Sequence, residues 1–406
     1  MAVALMATLA EAGENWPQFR GPTCDGHSDA RGLPRTWSET DHVVWKTPIP
    51  GRGWSSPVVW GEQVWLTTAT ADGTVRSALC VDRRTGTIGH NVKLFELARP
   101  EEINSTNSYA SSTSAIDAKR VYVHFGSCGT ACLDRATGKT VWVRRDLTCD
   151  HGQGAGSSVL LVGELVVLTL DGMDVQYLVA LDKATGKTVW KAKRSTDFGT
   201  INGDLRKAYG TPIVLPVGGR NLLVSNGAGA AMAYDLASGR EVWKVRYRGG
   251  YSNISRPVVV GGLVLLNTGF GRAKLLAVRF DGRGDVTDTH VAWRYERSVP
   301  IKPSPVVVDG RVYMTSDTGL LSCLDGRTGQ KVWTERLRER FSASPIVAEG
   351  RIYLFGERGK AWVVEAGPRY KALAVNQLAS GCMASPAVAG KALFVRTKTH
   401  LVRIEE

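Results

Sequence analysis

The chain repeats itself, and the period of that repeat constrains the fold more than any single motif. One signature is Asp, then Thr or Ser three residues on, then Gly, then Trp four residues later. It occurs at Asp134, Thr137, Gly138 and Trp142, and again at Asp182, Thr185, Gly186 and Trp190. Two further copies are Asp235, Ser238, Gly239 and Trp243, and Asp325, Thr328, Gly329 and Trp333. A fifth, Asp82, Thr85 and Gly86, has His90 in the place of Trp. Each residue type has a physical reason: the carboxylate accepts turn amides, Gly takes a positive φ, and the Trp falls on the next strand.

Upstream of each copy, a small residue or Ser-Pro opens an apolar strand, and a short turn leads into a second one. The openings are Ser56-Pro57, Thr211-Pro212, Arg256-Pro257, Ser304-Pro305, Ser344-Pro345 and Ser385-Pro386, with proline-free versions at Ser114 and Val159. These eight anchors recur every 47 residues or so. Four strands of about five residues fill such a period and leave no room for helices, which excludes α/β solenoids; a β-helix needs a much shorter repeat. The expectation is an all-β, eight-bladed β-propeller of four-stranded antiparallel blades. The last repeat, from Ser385 to Ile404, stops one strand short, and Val43-Val44-Trp45-Lys46 supplies a matching strand at the other end. This N-terminal strand around Trp45 is expected to join the C-terminal blade and close the ring. Residues 42–406 then form a single propeller, and 1–41 an N-terminal segment.

Within that segment, Met1 to Ala12 is apolar, and Ala10-Glu11-Ala12 resembles a cleavage site. We read it as a signal-peptide remnant whose start lies upstream, followed by an extended arm. The chain has 406 residues, is 43% hydrophobic and 22% charged, which excludes disordered and fibrous classes. No apolar run approaches the roughly 18 residues of a membrane-spanning helix. The formal net charge of +13 is dispersed along the chain rather than blocked, as for general attraction to anionic surfaces.

Seven cysteines cannot all pair within the chain. Cys80, Cys132 and Cys323 each precede a turn Asp by two residues, where other repeats have Ala180 and Ala233. They read as buried thiols in an alanine-sized slot. Cys24, Cys128, Cys149 and Cys382 follow no such rule, and no zinc spacing exists. Asp281, Asp285 and Asp288 lie in an acidic, glycine-containing stretch that replaces the usual turn of the fifth repeat. They form a weak Ca²⁺ candidate without the glutamate and spacing of an EF-hand, and an elongated solvated hairpin is the simpler reading. No nucleophile elbow is present.

In a propeller the loops entering the innermost strands gather at one mouth of the central channel. Those loops carry Arg52, Trp54, Asn107, Tyr109, His151, Gln153, Lys207 and Tyr209, then Tyr251, Asn253, Arg256, Lys302, Arg340, Phe341 and Met383. The set suggests a funnel of aromatics and cations suited to an anionic or planar ligand. Packing of the mouth by the same side chains is the simpler alternative. His151 is the one histidine among them and the best general-base candidate.

The repeat seen best from Val179 to Trp190 resembles the pyrroloquinoline-quinone (PQQ)-type propeller repeat, over about residues 42–404. The opening Trp16-Pro17-Gln18-Phe19-Arg20-Gly21-Pro22 and the run Arg52-Gly53-Trp54-Ser55-Ser56-Pro57 look like those of the BamB-like group of secreted bacterial propellers. That resemblance implies either a quinoprotein dehydrogenase or a non-enzymatic scaffold. The dehydrogenases carry adjacent cysteines over the quinone and a Ca²⁺ site of Glu, Asn and Asp beside a catalytic Asp. No two cysteines are adjacent here, and that set has no match on these positions. BamB-type scaffolds are lipoproteins, but Cys24 follows Gly21-Pro22-Thr23, which is no lipidation context. The resemblance therefore implies a non-catalytic secreted or periplasmic scaffold, monomeric, with no catalytic residue and no cofactor. PQQ is unsupported by residue matching. Its partner is expected to be an envelope protein or a small anionic ligand, with no nucleic acid and no membrane span. The alternatives are an oxidoreductase with PQQ or another small ligand in the funnel, and an acidic-glycan-binding module.

Overall fold

The computed structural model describes residues 13–199 and 201–406, so the expected leader over Met1 to Ala12 lies outside the described residues. Eight antiparallel sheets follow one another around a ring. Blades one to seven span residues 58–96, 115–144, 160–193, 213–246, 258–295, 306–336 and 346–377. Blade eight takes three strands from 387–404, and its fourth is Val43–Pro48, which pairs antiparallel with His400–Ile404. The ring is closed as expected. The only helical element among the described residues is a single 3₁₀ turn, Gly203–Leu205. No helix there is long and apolar enough to cross a membrane.

Each blade begins with a short, buried inner strand and ends with a longer, half-exposed outer one. Val58–Trp60 and Ile346–Ala348 are inner strands, and Thr140–Arg144 and Thr188–Lys193 outer ones. The repeated geometry of the turn follows from its residues. Asp182 Oδ1 accepts from the Thr185 amide at 2.8 Å and from its hydroxyl at 2.7 Å. The outer strand then bulges before its Trp, pairing Ala180 with Trp190 but Leu181 with Thr188. The skipped residue, Val189, is left 52% exposed, while Trp190 is turned inward toward the next blade.

That Trp locks neighbouring blades together. Trp190 Nε1 donates to Leu236 O of blade four at 2.9 Å, and Trp142 Nε1 to Lys183 O of blade three at 3.0 Å. Trp45 on the closing strand does the same to Arg83 O of blade one at 3.0 Å. The turn glycine is required twice over. Gly186 and Gly239 have φ near +71°, and a Cβ there would stand 2.7 Å from the rings of Trp142 and Trp190. His90 occupies the Trp position in blade one, lies against Gly138 and stacks on Trp65 at 5.7 Å.

The small slot opposite each Trp holds the expected thiols. Cys132 lies between Tyr122 and Trp142, and Cys323 between Tyr313 and Trp333. Cys80 lies between Trp65 and His90, and all seven cysteines are free. The acidic stretch of the fifth repeat differs from the expected solvated hairpin. Gly284–Asp285 adds a fifth, parallel strand to the outer edge of blade four, opposite Trp243 and Lys244. Val286 is buried beneath it, and Trp243 becomes fully buried. The three carboxylates are not gathered around a point: Asp285 binds Arg246 at 2.6 Å and Thr287, while Asp281 lies 3.6 Å from His290. Among the described residues no cluster of three metal-ligating side chains forms.

Candidate functional site

The residue two before each inner strand builds a belt around the channel. The Ser56 amide donates to Thr113 Oγ1, the Thr113 amide to Ser158 Oγ, and the Ser158 amide to Thr211 Oγ1, at 2.9–3.1 Å. The belt resumes from Arg256 to Ser304, Ser304 to Ser344, Ser344 to Ser385 and Ser385 back to Ser56, at 2.9–3.1 Å. Seven of eight blades thus supply a hydroxyl to the preceding blade's amide. The eighth, blade five, has Arg256, whose Nη2 and Nε donate to Pro212 O of blade four at 2.7 and 3.1 Å instead. None of the seven hydroxyls gives its own proton to a described protein acceptor, so their O–H groups remain for a ligand or water.

One end of the channel is closed by the N-terminal arm. The Trp16 amide and carbonyl pair with Val59 of blade one, and Pro17 O accepts from Ile116 of blade two. Gln18 Oε1 accepts from Leu161 of blade three at 3.0 Å, and Phe19 O accepts from Arg256 Nη1 of blade five at 2.6 Å. Arg20 Nη2 donates to Pro305 O of blade six at 2.6 Å, and Gly26 O accepts from Val347 of blade seven. The arm therefore crosses the channel from blade to blade. Burial holds the Arg20 guanidinium down near 9. The Trp16 to Pro22 motif, which in the sequence marks a family resemblance, is in the structure a plug.

Above the plug lies a pocket of about 230 Å³ with Phe19 at its floor. Six belt hydroxyls line it, joined by Trp54, Asn107, Gln153, Tyr209, Phe270 and Met383. Of the expected funnel residues, Trp54, Asn107, Gln153, Tyr209, Lys302 and Met383 reach this pocket and the others do not. Arg52 is exposed, stacks on Trp54 at 5.0 Å and donates to Ser105 O and Asn107 O. Tyr109 lies beneath Arg76 at 5.1 Å. His151 is buried behind Tyr209, whose hydroxyl donates to His151 O at 2.7 Å; its Nε2 accepts from the Ser127 amide, and burial lowers its pKa. Asn253 is fully buried, with Nδ2 held by Tyr247 and by Asn267 O, and Tyr251 packs against Phe270 at 6.2 Å. Phe341 is fully buried against Trp362.

The expected cationic field is largely cancelled. Lys207 is fully buried and paired with Asp204. Arg256 is buried in the belt. Lys302, the one charged side chain lining the pocket, lies 3.0 Å from Glu357 and 3.9 Å from Asp317. Arg340 Nε also faces Glu357, at 3.5 Å. Burial pushes the Glu357 carboxyl up, but Ser342 and Lys302 reverse this and leave it below its ordinary value. Register alone placed these cations at one mouth; side-chain length and the neighbouring carboxylates decided where their charges went. The hydroxyl belt is not among the expected site residues, although the Ser or Thr before the strand-opening residue is its signal in the sequence.

The molecule is thus an eight-bladed propeller with a plugged central channel and a hydroxyl-lined pocket above the plug. The chain belongs to the family described as outer membrane protein assembly factor BamB, whose model matches residues 32–170 and 174–405. No curated protein matches the sequence. Among solved structures, BamB from Moraxella catarrhalis is similar at 15% identity and TM-score 0.62, covering 89% of this chain and 99% of that one. The quinohemoprotein alcohol dehydrogenase of Comamonas testosteroni is similar at 12% identity and TM-score 0.69, covering 96% of this chain and 80% of that one. A europium-containing methanol dehydrogenase is similar at 13% identity and TM-score 0.69, over 95% and 89%. At such identities the likeness concerns the fold.

Proposed function

We propose that the chain is a non-catalytic binding scaffold of the bacterial cell envelope, secreted or periplasmic, that holds a protein partner. The observation that carries this reading is the pocket's chemistry within a BamB-family chain. Its lining offers hydroxyls, amides and aromatic faces, and its single ammonium is already paired. His151, the general-base candidate, is buried outside it. Such a lining favours holding a ligand over moving protons. The channel pocket is then a subsite for a small group of the partner or for a separate small ligand.

An oxidoreductase using PQQ is the second reading, favoured by the likeness to the two dehydrogenases. The residues fit the group poorly. PQQ carries three carboxylates, and the pocket lining offers one cation, Lys302, which Glu357 already neutralises. An acidic-glycan module meets the same difficulty in the pocket. The deciding experiment is capture from a native envelope fraction with the full chain as bait, alongside dye reduction with an alcohol or sugar after adding PQQ and Ca²⁺. A stoichiometric protein partner and no dye reduction is the expected outcome; quinone-dependent reduction would sink the scaffold reading.

A further inference from the structure

The outer strands of blades four, five and six end at Arg246, Tyr295 and Arg336, paired with Ala230, Leu275 and Leu320. Two residues past each end stands an arginine: Arg248, Arg297 and Arg338. All three leave the funnel-face ends of their outer strands on adjacent loops, Arg248 and Arg338 five residues after the strand Trp and Arg297 four. All are exposed, and among the described residues none has a hydrogen bond or ion pair. At this position blades seven, one, two and three carry Ala379, Ala98, Asp146 and Ser195. Arg272, on the funnel-face loop of blade five, is exposed and equally unpaired. By contrast, Arg358 nearby is held by Glu339 at 3.0 Å.

Beside this row the pocket has an apolar lip. Phe270, two residues before Arg272, is 42% exposed and lines the pocket. Across the same face, the loops of blades two and three bear the exposed carboxylates Asp146, Asp150 and Asp174, of which Asp146 is paired with Arg144 at 2.6 Å, and the exposed Arg145 stands beside them. Unpaired basic charge is therefore concentrated over blades four to six, whereas carboxylates and cations balance over blades two and three.

We propose that the arginine row of blades four to six docks a short, extended, acidic segment of a protein partner, which places one apolar or aromatic side chain in the pocket beside Phe270. The inference rests on the scaffold reading and names the partner's chemistry. Guanidinium forks match carboxylates in pairs, and an exposed aromatic beside them offers the anchor that polypeptide interfaces use. A long polyanion gains by continuous charge contact, and the exposed Asp150 and Asp174 interrupt such contact beyond the arginine row.

The test uses the full chain and a fluorescein-labelled peptide of alternating glutamate and tyrosine, followed by anisotropy. Saturable binding that weakens with salt is expected, and the glutamine version of the peptide should not bind. Combining Arg248→Ser, Arg297→Ser and Arg338→Gly should weaken binding about tenfold or more. Folding is controlled by the backbone: Arg338 and Arg272 have φ of 53° and 72°, so Arg338→Gly and Arg272→Gly relieve strain and should keep or raise Tm. Binding indifferent to the triple substitution overturns the proposal. So does tighter, arginine-dependent binding of a DNA oligonucleotide or heparin. The envelope capture repeated with the triple variant separates the two levels: an unchanged partner overturns the arginine row alone, whereas no partner for the unsubstituted chain overturns the scaffold reading beneath it.

Discussion

Two imidazoles and three thiols show how burial sets the chemistry of single residues. Burial holds His124 down near 3 and lowers His151, while each would bind a proton near pH 6.5 in the unfolded chain. The unfolded state therefore binds more protons as pH falls below about 6.5, and stability present above that pH is lost on the way to the folded values. The loss is about 1.4 kcal/mol per pH unit for each fully shifted imidazole. Melting temperature should fall steadily from pH 7 to pH 4.5, and His124→Asn should flatten that slope. Burial also pushes the Cys80 and Cys132 thiols up to about 12 and Cys323 to about 11. Iodoacetamide should leave all three unmodified in the native protein, and alanine at each should cost roughly 1 kcal/mol. A sharper residue-level effect is expected at the ion pair of Arg194 and Asp171, both fully buried, at 2.7 Å. Arg194→Met strands the carboxylate and should destabilise by about 3–5 kcal/mol in urea melts.

Between blades, the repeat acts through two connections at opposite radii. Near the rim, each Trp spans to the next turn; near the axis, each Ser or Thr accepts the preceding blade's amide. Trp190 is 8% exposed, so Trp190→Ala loses both its packing and its bond to Leu236 O. A loss of about 3–5 kcal/mol is expected by chemical denaturation. Ser344→Ala removes one belt acceptor and leaves the buried Ser304 amide unpaired, for a loss of about 1–3 kcal/mol. Equal costs at the two sites would show that the rim connection adds nothing beyond its single hydrogen bond.

Over the whole ring, closure and plugging are separate acts of the same N-terminal segment. Deleting residues 1–50 removes the strand around Trp45 and exposes the His400–Ile404 edge, so insoluble or strongly destabilised protein is expected. Deleting only residues 1–28 keeps that strand but removes Phe19 and the crossing contacts. The product should stay soluble, melt earlier and lose any ligand held in the channel pocket. Melting within a degree or two of the full chain would refute either role.

What the sequence by itself determined was everything that depends on period and local residue type. The eight blades, the closing strand around Trp45, the turn geometry of Asp182 and its counterparts, and the slot for Cys132 all follow from spacing and from local bonds. The tertiary structure alone decided contacts between residues distant in the chain, because they depend on which side chains meet across blades. Arg256 stands at a mouth position by register, yet its long side chain reaches Phe19 O, 237 residues away. Lys302 reads as a free cation until Glu357, from the next blade's loop, is folded against it. The insertion after Asp281 looks solvated until Val286 is buried against blade four. Periodicity specifies a backbone ring, whereas the charge and shape of its central pocket arise only when eight loops and one arm converge on the same axis.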